Sequence, residues 1–167
     1  SFAKANGIDI SKVKVEPVGF PTREPMLAEG KVDSVTGFSF SSYLNLVRLG
    51  VPEEDISTIL MADHGLKLYG NAVIVNTDYA KNNSDMVKKF LVAIGAGWRD
   101  AIKDPKAAAA ALVKRNPAAD AALEQRRLQL AIDANVLTDY VKANGMGGVD
   151  SSRFAAAIEQ LSETYEY

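Results

Sequence analysis

The sequence predicts an α/β fold in which one α/β portion is followed by an entirely helical portion. Two observations lead to this prediction. Up to Val75, strand-like and helix-like segments alternate with short connections, a pattern typical of a mainly parallel sheet covered by helices. After Asn76 the pattern is helical and no further strand is predicted. We therefore expect the helical portion to pack against a sheet.

Four strands and three helices are predicted in the α/β portion. Residues 13–18 alternate apolar and polar side chains, the signature of a strand, and Pro17 restricts it to a sheet edge or a strand end. The other predicted strands span residues 32–37, 56–61 and 72–75. The predicted helices comprise one that ends at Gly7, one over residues 22–29, and one that Ser41–Ser42 cap and Gly50 ends.

The helical portion begins with a long helix over residues 84–103. Its apolar side chains recur at helical spacing, and Asp104–Pro105 then breaks it. Further helices are predicted over residues 105–114, 118–134, 139–143 and 151–163. Because the sequence opens on what reads as the end of a helix, we expect additional residues upstream of Ser1.

The composition excludes several classes of protein. Nineteen basic residues stand against 21 acidic ones, so the basic surplus typical of nucleic-acid-binding proteins is missing. There is no cysteine, which excludes disulfides, thiolate metal sites and cysteine nucleophiles. No apolar run approaches the ~20 residues of a membrane span. We expect no nucleic-acid partner and no membrane insertion of this chain.

Motifs for catalysis or metal binding are scarce. His64 is the only histidine, which excludes a pair of histidine metal ligands, and neither a phosphate-binding glycine loop nor a nucleophile elbow is present. Residues 145–148 are glycine-rich but follow a predicted helix, so we interpret them as a turn before a helix capped by Asp150 or Ser151. We predict no metal, no cofactor and no catalytic residue.

Residues 36–43 are the stronger candidate for a binding site. They connect the end of a predicted strand to the start of a predicted helix, where open α/β sheets bind ligands. A glycine lets a ligand approach the backbone, the first helical turn supplies N–H groups, and aromatic rings alternate with hydroxyls. In the alternative interpretation the phenylalanines only fill the seam between sheet and helix. The predicted ligand-binding residues are Thr36, Gly37, Phe38, Ser39, Phe40, Ser41 and Tyr43.

A second candidate segment spans residues 63–71. Its glycines permit bending, and His64, Tyr69 and Asn71 can stack on a ligand or hydrogen-bond to it, so we predict these three as ligand-binding residues. The alternative is an ordinary surface loop. Arg23–Glu24 could hold an anionic ligand, but we interpret it as a solvated charge pair.

Four stretches of the sequence occur in an order that resembles a known family. They read FAKANGID…KVKVEPVG, PTREPMLAEGKVDSVTGF, SSYLNLVRLGVPEEDI and YGNAVIVNTDYAKNNSDMVKKFLVA…GWRDAIKDP. Together they resemble the carboxy-terminal part of ABC-transporter solute-binding proteins. The most similar branch includes receptors for the thiamine pyrimidine precursor, for sulfonates such as taurine, and for nitrate. The resemblance covers essentially the whole chain.

The resemblance implies a type II periplasmic-binding-protein-like fold with two α/β lobes. Residues 1–70 would form part of the second lobe, and residues 71–167 a return crossing strand and helices of the first. The implied function is the solute-binding component of an ABC import system, which binds a small polar or aromatic molecule between the lobes and passes it to a membrane permease. The implied location is periplasmic or extracellular, with or without a lipid anchor.

Two alternatives remain open. The same family includes pyrimidine-precursor synthases that use pyridoxal phosphate, and in such an enzyme His64 and a lysine would carry the chemistry. The absence of cysteine departs from the motif of those synthases, so we predict a binding protein rather than an enzyme. In the other alternative, the helices from Ser84 onward form a docking surface for a partner protein.

Overall fold

A computed structural model describes residues 2–165 of the chain. Within that range the regular secondary structure is helical. Short 3₁₀ segments occur at Ile10–Lys12, Glu53–Asp55 and Met61–His64, and a π-helical turn at Ile132–Val136. The α-helices are α1 (Phe2–Ala5), α2 (Phe20–Ala28), α3 (Ser39–Arg48), α4 (Thr77–Asn82), α5 (Ser84–Lys103), α6 (Pro105–Arg115), α7 (Ala121–Ala131), α8 (Asp139–Asn144) and α9 (Ser151–Ser162).

The predicted α/β fold is wrong for the described chain. Residues 13–18, 32–37 and 72–75 and most of residues 56–61 lie outside helices, and none of residues 2–165 forms a β-strand. The backbone at Val13 and Ile56 is extended, so the local preference for a strand is real. A sheet also requires neighbouring strands that pair their N–H and C=O groups. In the described chain these segments find no such neighbour, and Ile74 is 91% exposed.

The type II periplasmic-binding-protein-like architecture predicted with that fold is wrong for the same reason. It requires α/β lobes, and no sheet is present in residues 2–165 on which such a lobe could be built. The helical portion accordingly packs helix against helix, not against a sheet.

Most of the predicted helices are present. The breakers act as expected: α5 ends at Lys103, and Asp104 caps α6 by accepting a hydrogen bond from the N–H of Ala107. The predicted cap of α3 is wrong, because this helix begins at Ser39 with Phe38 as its N-cap residue. Helix α4 was not predicted from the sequence, although Asn76 caps it through its side chain.

The described chain forms two compact units. The first contains the residues up to Gly70 together with those from Val149 onward. Within it α2 packs against α3, whose Leu44 and Leu46 are buried, and Ala157 of α9 is buried as well. This unit contains both residues 36–43 and residues 64–69.

The second unit spans Asn71–Gly148 and contains α4 to α8. Helix α6 packs against both α5 and α7, with Ala109 and Ile132 buried. The apolar side chains of Met86 and Phe90 on α5 are exposed. The assignment of residues 1–70 and 71–167 to two lobes of a receptor stays a prediction.

Candidate functional site

The rings of Phe38 and Phe40 form a stacked pair at the start of α3. Phe38 is extended and Phe40 lies in the first helical turn, and their ring centroids are 5.3 Å apart with planes inclined by 17°. Phe38 is 47% exposed and Phe40 is half-buried. The pair therefore presents aromatic surface to solvent, a geometry suited to stacking on another flat ring.

A closed triangle of hydrogen bonds joins α2 to α3 through Ser42, two residues after Phe40. Arg23 Nε donates to Glu24 Oε1 over 2.9 Å, and Arg23 Nη2 donates to Ser42 Oγ over 3.3 Å. The Ser42 hydroxyl donates in turn to Glu24 Oε1 over 2.7 Å. Since this hydroxyl proton is committed to Glu24, Ser42 supplies no proton to a ligand.

Glu24 is a buried carboxylate, so the interpretation of Arg23–Glu24 as a solvated charge pair is wrong. Glu24 is 3% exposed, and the side chain of Arg23 is 17% exposed. Burial on its own raises the pKa of Glu24, but the hydrogen bonds from Ser42 and Arg23 outweigh it and leave the pKa below its ordinary value. The carboxylate is therefore held in its charged form.

Gly37 makes room for this triangle. A Cβ atom at residue 37 would overlap Ser42 Oγ and would lie 3.0 Å from Arg23 Nη2. The sequence suggested that this glycine lets a ligand approach the backbone. In the structure the space is taken by the chain's own hydroxyl and guanidinium groups.

The Arg23 guanidinium has a second neighbour in Phe20. Its Cζ atom lies 5.0 Å from the centroid of the Phe20 ring, a cation–π arrangement, and Phe20 itself is 79% exposed. Arg23 thus lies between α3 and an exposed ring. We use "aromatic surface" for the rings of Phe20, Phe38 and Phe40 together with the Arg23 guanidinium.

The remaining predicted residues of segment 36–43 surround this surface. Thr36 is exposed and Ser39 is half-buried. The backbone N–H of Ser41 donates to Phe38 O over 2.9 Å, which closes the first turn of α3. The hydroxyl of Tyr43 donates to Glu53 Oε2, so this group is bound within the chain.

The second candidate segment is fastened by helices from both ends of the chain. Asn6 Nδ2, just after α1, donates to His64 O over 2.9 Å. On α9, Gln160 Nε2 donates to Gly65 O over 2.7 Å, and Gln160 Oε1 accepts from the N–H of Lys67 over 3.0 Å. The backbone of this segment is therefore held by side chains of the chain itself.

Tyr69 is held in the same way. Its hydroxyl accepts a hydrogen bond from the N–H of Asp150 over 2.8 Å, and the Arg153 guanidinium lies 4.7 Å from its ring centroid. Arg153 Nη2 also donates to Leu68 O over 2.8 Å. These contacts give Tyr69 a structural position at the base of α9. Asn71, predicted with it, belongs to the second unit.

The two hydrogen bonds between Gln160 and this segment should contribute measurably to the stability of the chain. We expect Gln160→Ala to lower the free energy of unfolding by about 1 kcal/mol, because two hydrogen bonds to the exposed backbone of Gly65 and Lys67 are lost. Amide exchange at Lys67 should accelerate. Glu159→Ala, an exposed position on the same helix, is the control and should change stability by less than about 0.5 kcal/mol. Equal effects of the two variants would contradict the assignment.

The acid stability of the chain should depend on Glu24. In the folded chain the pKa of Glu24 lies below its ordinary value of 4.5. The ionised carboxylate therefore contributes fully to stability above that pH, and the contribution is lost as the pH falls through the folded pKa. We expect urea unfolding from pH 7 to pH 3 to show a shallower acid loss in Glu24→Gln than in the unsubstituted chain. Identical pH dependence of the two proteins would contradict this.

Sequence reasoning missed Arg23, Glu24 and Ser42 as one group. The available signal was weak: Glu24 precedes Leu27 by three residues, which puts both on one face of a helix, but Phe20, four residues before Glu24, is exposed. Among residues 2–165, no cluster of three or more histidine, aspartate or glutamate side chains is arranged to hold a metal ion. None of the helices described has the length and apolar character needed to cross a membrane.

Comparison with known proteins gives one family. Residues 1–108 match the family model described as NMT1/THI5 like. The comparisons with curated proteins and with solved structures give no significant match. The matched range covers more than half of the sequence and includes the aromatic surface, the buried triangle and residues 64–69. The resemblance inferred from the sequence is thereby confirmed, and the chain belongs to the NMT1/THI5-like family of ABC-transporter substrate-binding proteins.

Proposed function

We propose that this chain forms part of the solute-binding component of an ABC import system and binds a small planar molecule at the aromatic surface. The observation that carries this proposal is the stacked, half-exposed pair of Phe38 and Phe40, which follows directly after Gly37, against which the partly accessible Arg23 guanidinium lies. A flat solute can stack on the rings while a polar group on its edge accepts a hydrogen bond from Arg23. Membership of a substrate-binding family supports the same function.

The partner in this function is a membrane permease that receives the solute. The place of action is the periplasm or the exterior of the cell, where import begins. We propose a binding role without catalysis: a stacked ring pair and the Arg23 guanidinium hold a solute, and neither supplies a nucleophile or a proton-transfer group at neutral pH.

Thermal-shift screening of the full chain tests this function. Pyrimidines, sulfonates, nitrate and aromatic acids should be compared at millimolar concentration, and we expect a planar heterocycle to raise the melting temperature, because a ligand that binds only the folded state stabilises it. If none of the solutes raises the melting temperature, the proposal is contradicted.

Pyridoxal phosphate belongs in the same screen, since an absorption band sensitive to borohydride would favour the enzyme alternative.

The location of the site is tested by removing one ring. We expect Phe38→Ala to weaken binding of any solute found in the screen by about 1 kcal/mol, the contribution typical of an aromatic pair. Phe154→Ala is the matched control, because Phe154 is also exposed (52%) and lies in the same unit on α9. If both variants weaken binding equally, the solute does not stack at Phe38.

A further inference from the structure

Arg23 has N–H donors that the triangle does not use, among them both N–H groups of Nη1. The triangle uses its Nε and Nη2 atoms, and no hydrogen bond from Nη1 is found within residues 2–165. Within that range Arg153 Nε is the one buried side-chain nitrogen or oxygen atom that lacks a hydrogen-bond partner. Because Nη1 of Arg23 also lacks a partner, it must be in contact with solvent. The guanidinium lies beside the Phe20 ring, and its Cζ and Nη2 atoms would be 3.2 and 3.0 Å from a Cβ at Gly37, the residue that directly precedes Phe38.

The positive charge of the Arg23 guanidinium is already compensated by the carboxylate of Glu24. Glu24 lies 2.9 Å from Arg23 Nε, is almost fully buried, and is kept ionised by two hydrogen bonds. An anion that approaches Nη1 is attracted by Arg23 and repelled by Glu24, and it must also shed water. A neutral acceptor, such as a ring nitrogen or an amide carbonyl, accepts the same hydrogen bond without the repulsion and at a smaller cost of desolvation.

We propose that Glu24 determines the charge class of the ligand: it neutralises Arg23, so the aromatic surface binds uncharged planar molecules that carry hydrogen-bond acceptors and discriminates against anions. This inference rests on the proposed function, since it concerns the same surface. Glu24 is a specificity-determining residue that acts through Arg23 and does not itself touch the ligand.

Nicotinamide and nicotinate form a suitable pair of probes, because the two rings are nearly identical and differ in charge. Binding is followed by changes in the backbone amide signals of Gly37 and Phe38 as each probe is added to the full chain. We expect the unsubstituted protein to prefer nicotinamide by about tenfold, the effect of one uncompensated charge in a partly desolvated place.

Removing the charge of Glu24 should abolish the preference. In Glu24→Gln we expect the ratio of the two affinities to move toward nicotinate by about tenfold. The double variant Arg23→Gln/Glu24→Gln should lose that gain, because the cation is then gone as well. Glu29→Gln is the control, since Glu29 also belongs to the end of α2 but pairs at the surface with Lys31 and should leave the ratio unchanged.

The outcomes separate this inference from the proposed function. If the unsubstituted protein binds a solute at Phe38 but prefers nicotinate, the function stands and the role of Glu24 is overturned. If no solute binds it while Glu24→Gln gains nicotinate through Arg23, the function fails and the role of Glu24 stands. An unchanged ratio in folded Glu24→Gln, or no binding of either probe to either protein, overturns the inference. Should Glu24→Gln fail to fold, the preference of the unsubstituted protein decides alone.

Discussion

Arg23→Leu should lower the free energy of unfolding by about 3 kcal/mol, one of the two largest effects expected in this chain. The substitution leaves the carboxylate of Glu24 buried with only the Ser42 hydroxyl as a side-chain donor. Removing one partner of a buried ion pair typically costs about 3–5 kcal/mol, because the remaining charge keeps its desolvation penalty without its compensation. Urea unfolding at pH 7 measures the effect.

Two further variants identify the cause. Lys31→Leu removes the cation of an exposed pair, in which Lys31 Nζ lies 2.5 Å from Glu29 Oε2, and should cost less than about 1 kcal/mol. Arg23→Leu/Glu24→Gln removes both charges of the buried pair and should recover a large part of the stability lost in Arg23→Leu. If Lys31→Leu is as harmful as Arg23→Leu, or if the double variant recovers nothing, the loss does not arise from an unpaired buried charge.

The helices were predictable because their determinants are local. The Asp104–Pro105 break, the spacing of apolar residues in α5 and the cap at Asp150 each depend on residues within one or two turns. Asp150 accepts from the N–H of Arg153, so it is the cap among the two that the interpretation of residues 145–148 allowed. Boundaries were less predictable, since α3 begins at Ser39 without a side-chain cap.

The sheet was not predictable from the same kind of evidence. Alternation along residues 13–18 and the β-branched run Val73–Val75 record a preference for extended backbone, and the backbone outside the helices is extended at Val13 and Ile56. Whether an extended segment joins a sheet depends on a second segment that lies far away in sequence. No residue near Val73 carries that information.

The aromatic surface was predicted in part. Phe38 and Phe40 do lie together, but the predicted cap at Ser41–Ser42 placed both of them before the helix, whereas Phe40 is already helical. The triangle was missed because a charged pair on a helix is usually solvated, and its burial depends on Ser42, 18 residues after Glu24. The hydrogen bonds between α9 and the backbone of residues 65–68 join groups that lie 85 to 95 residues apart in sequence. Local sequence patterns give no signal for contacts over such distances.

Gly37→Ala should destabilise the chain by about 2–3 kcal/mol in the absence of any solute. The added Cβ would overlap Ser42 Oγ, and Ser42 can escape only by rotating its side chain away from both Glu24 and Arg23. Two hydrogen bonds to charged groups are then lost, each with a net contribution of about 1.5 kcal/mol or more. Unfolding in urea, monitored by circular dichroism, measures the change.

Gly70→Ala provides the matched control, because a Cβ at that glycine meets no atom within 4 Å and its backbone requires no positive φ. It should leave stability unchanged or raise it slightly, since alanine restricts the unfolded chain more than glycine does. Gly37→Ala/Ser42→Gly removes the overlapping hydroxyl, so adding Gly37→Ala to Ser42→Gly should cost much less than adding it to the unsubstituted chain.

These variants also decide why residue 37 is glycine. If Gly37 serves to let a solute reach the backbone, Gly37→Ala should weaken solute binding. The unliganded Gly37→Ala protein should then be as stable as the Gly70→Ala protein. If Gly37 serves to accommodate Ser42 and Arg23, stability falls without any solute present, and Ser42→Gly relieves the fall. The crowded space at residue 37 favours the second result. A stable Gly37→Ala protein would mean that the hydroxyl and the guanidinium do not lie against this glycine in solution.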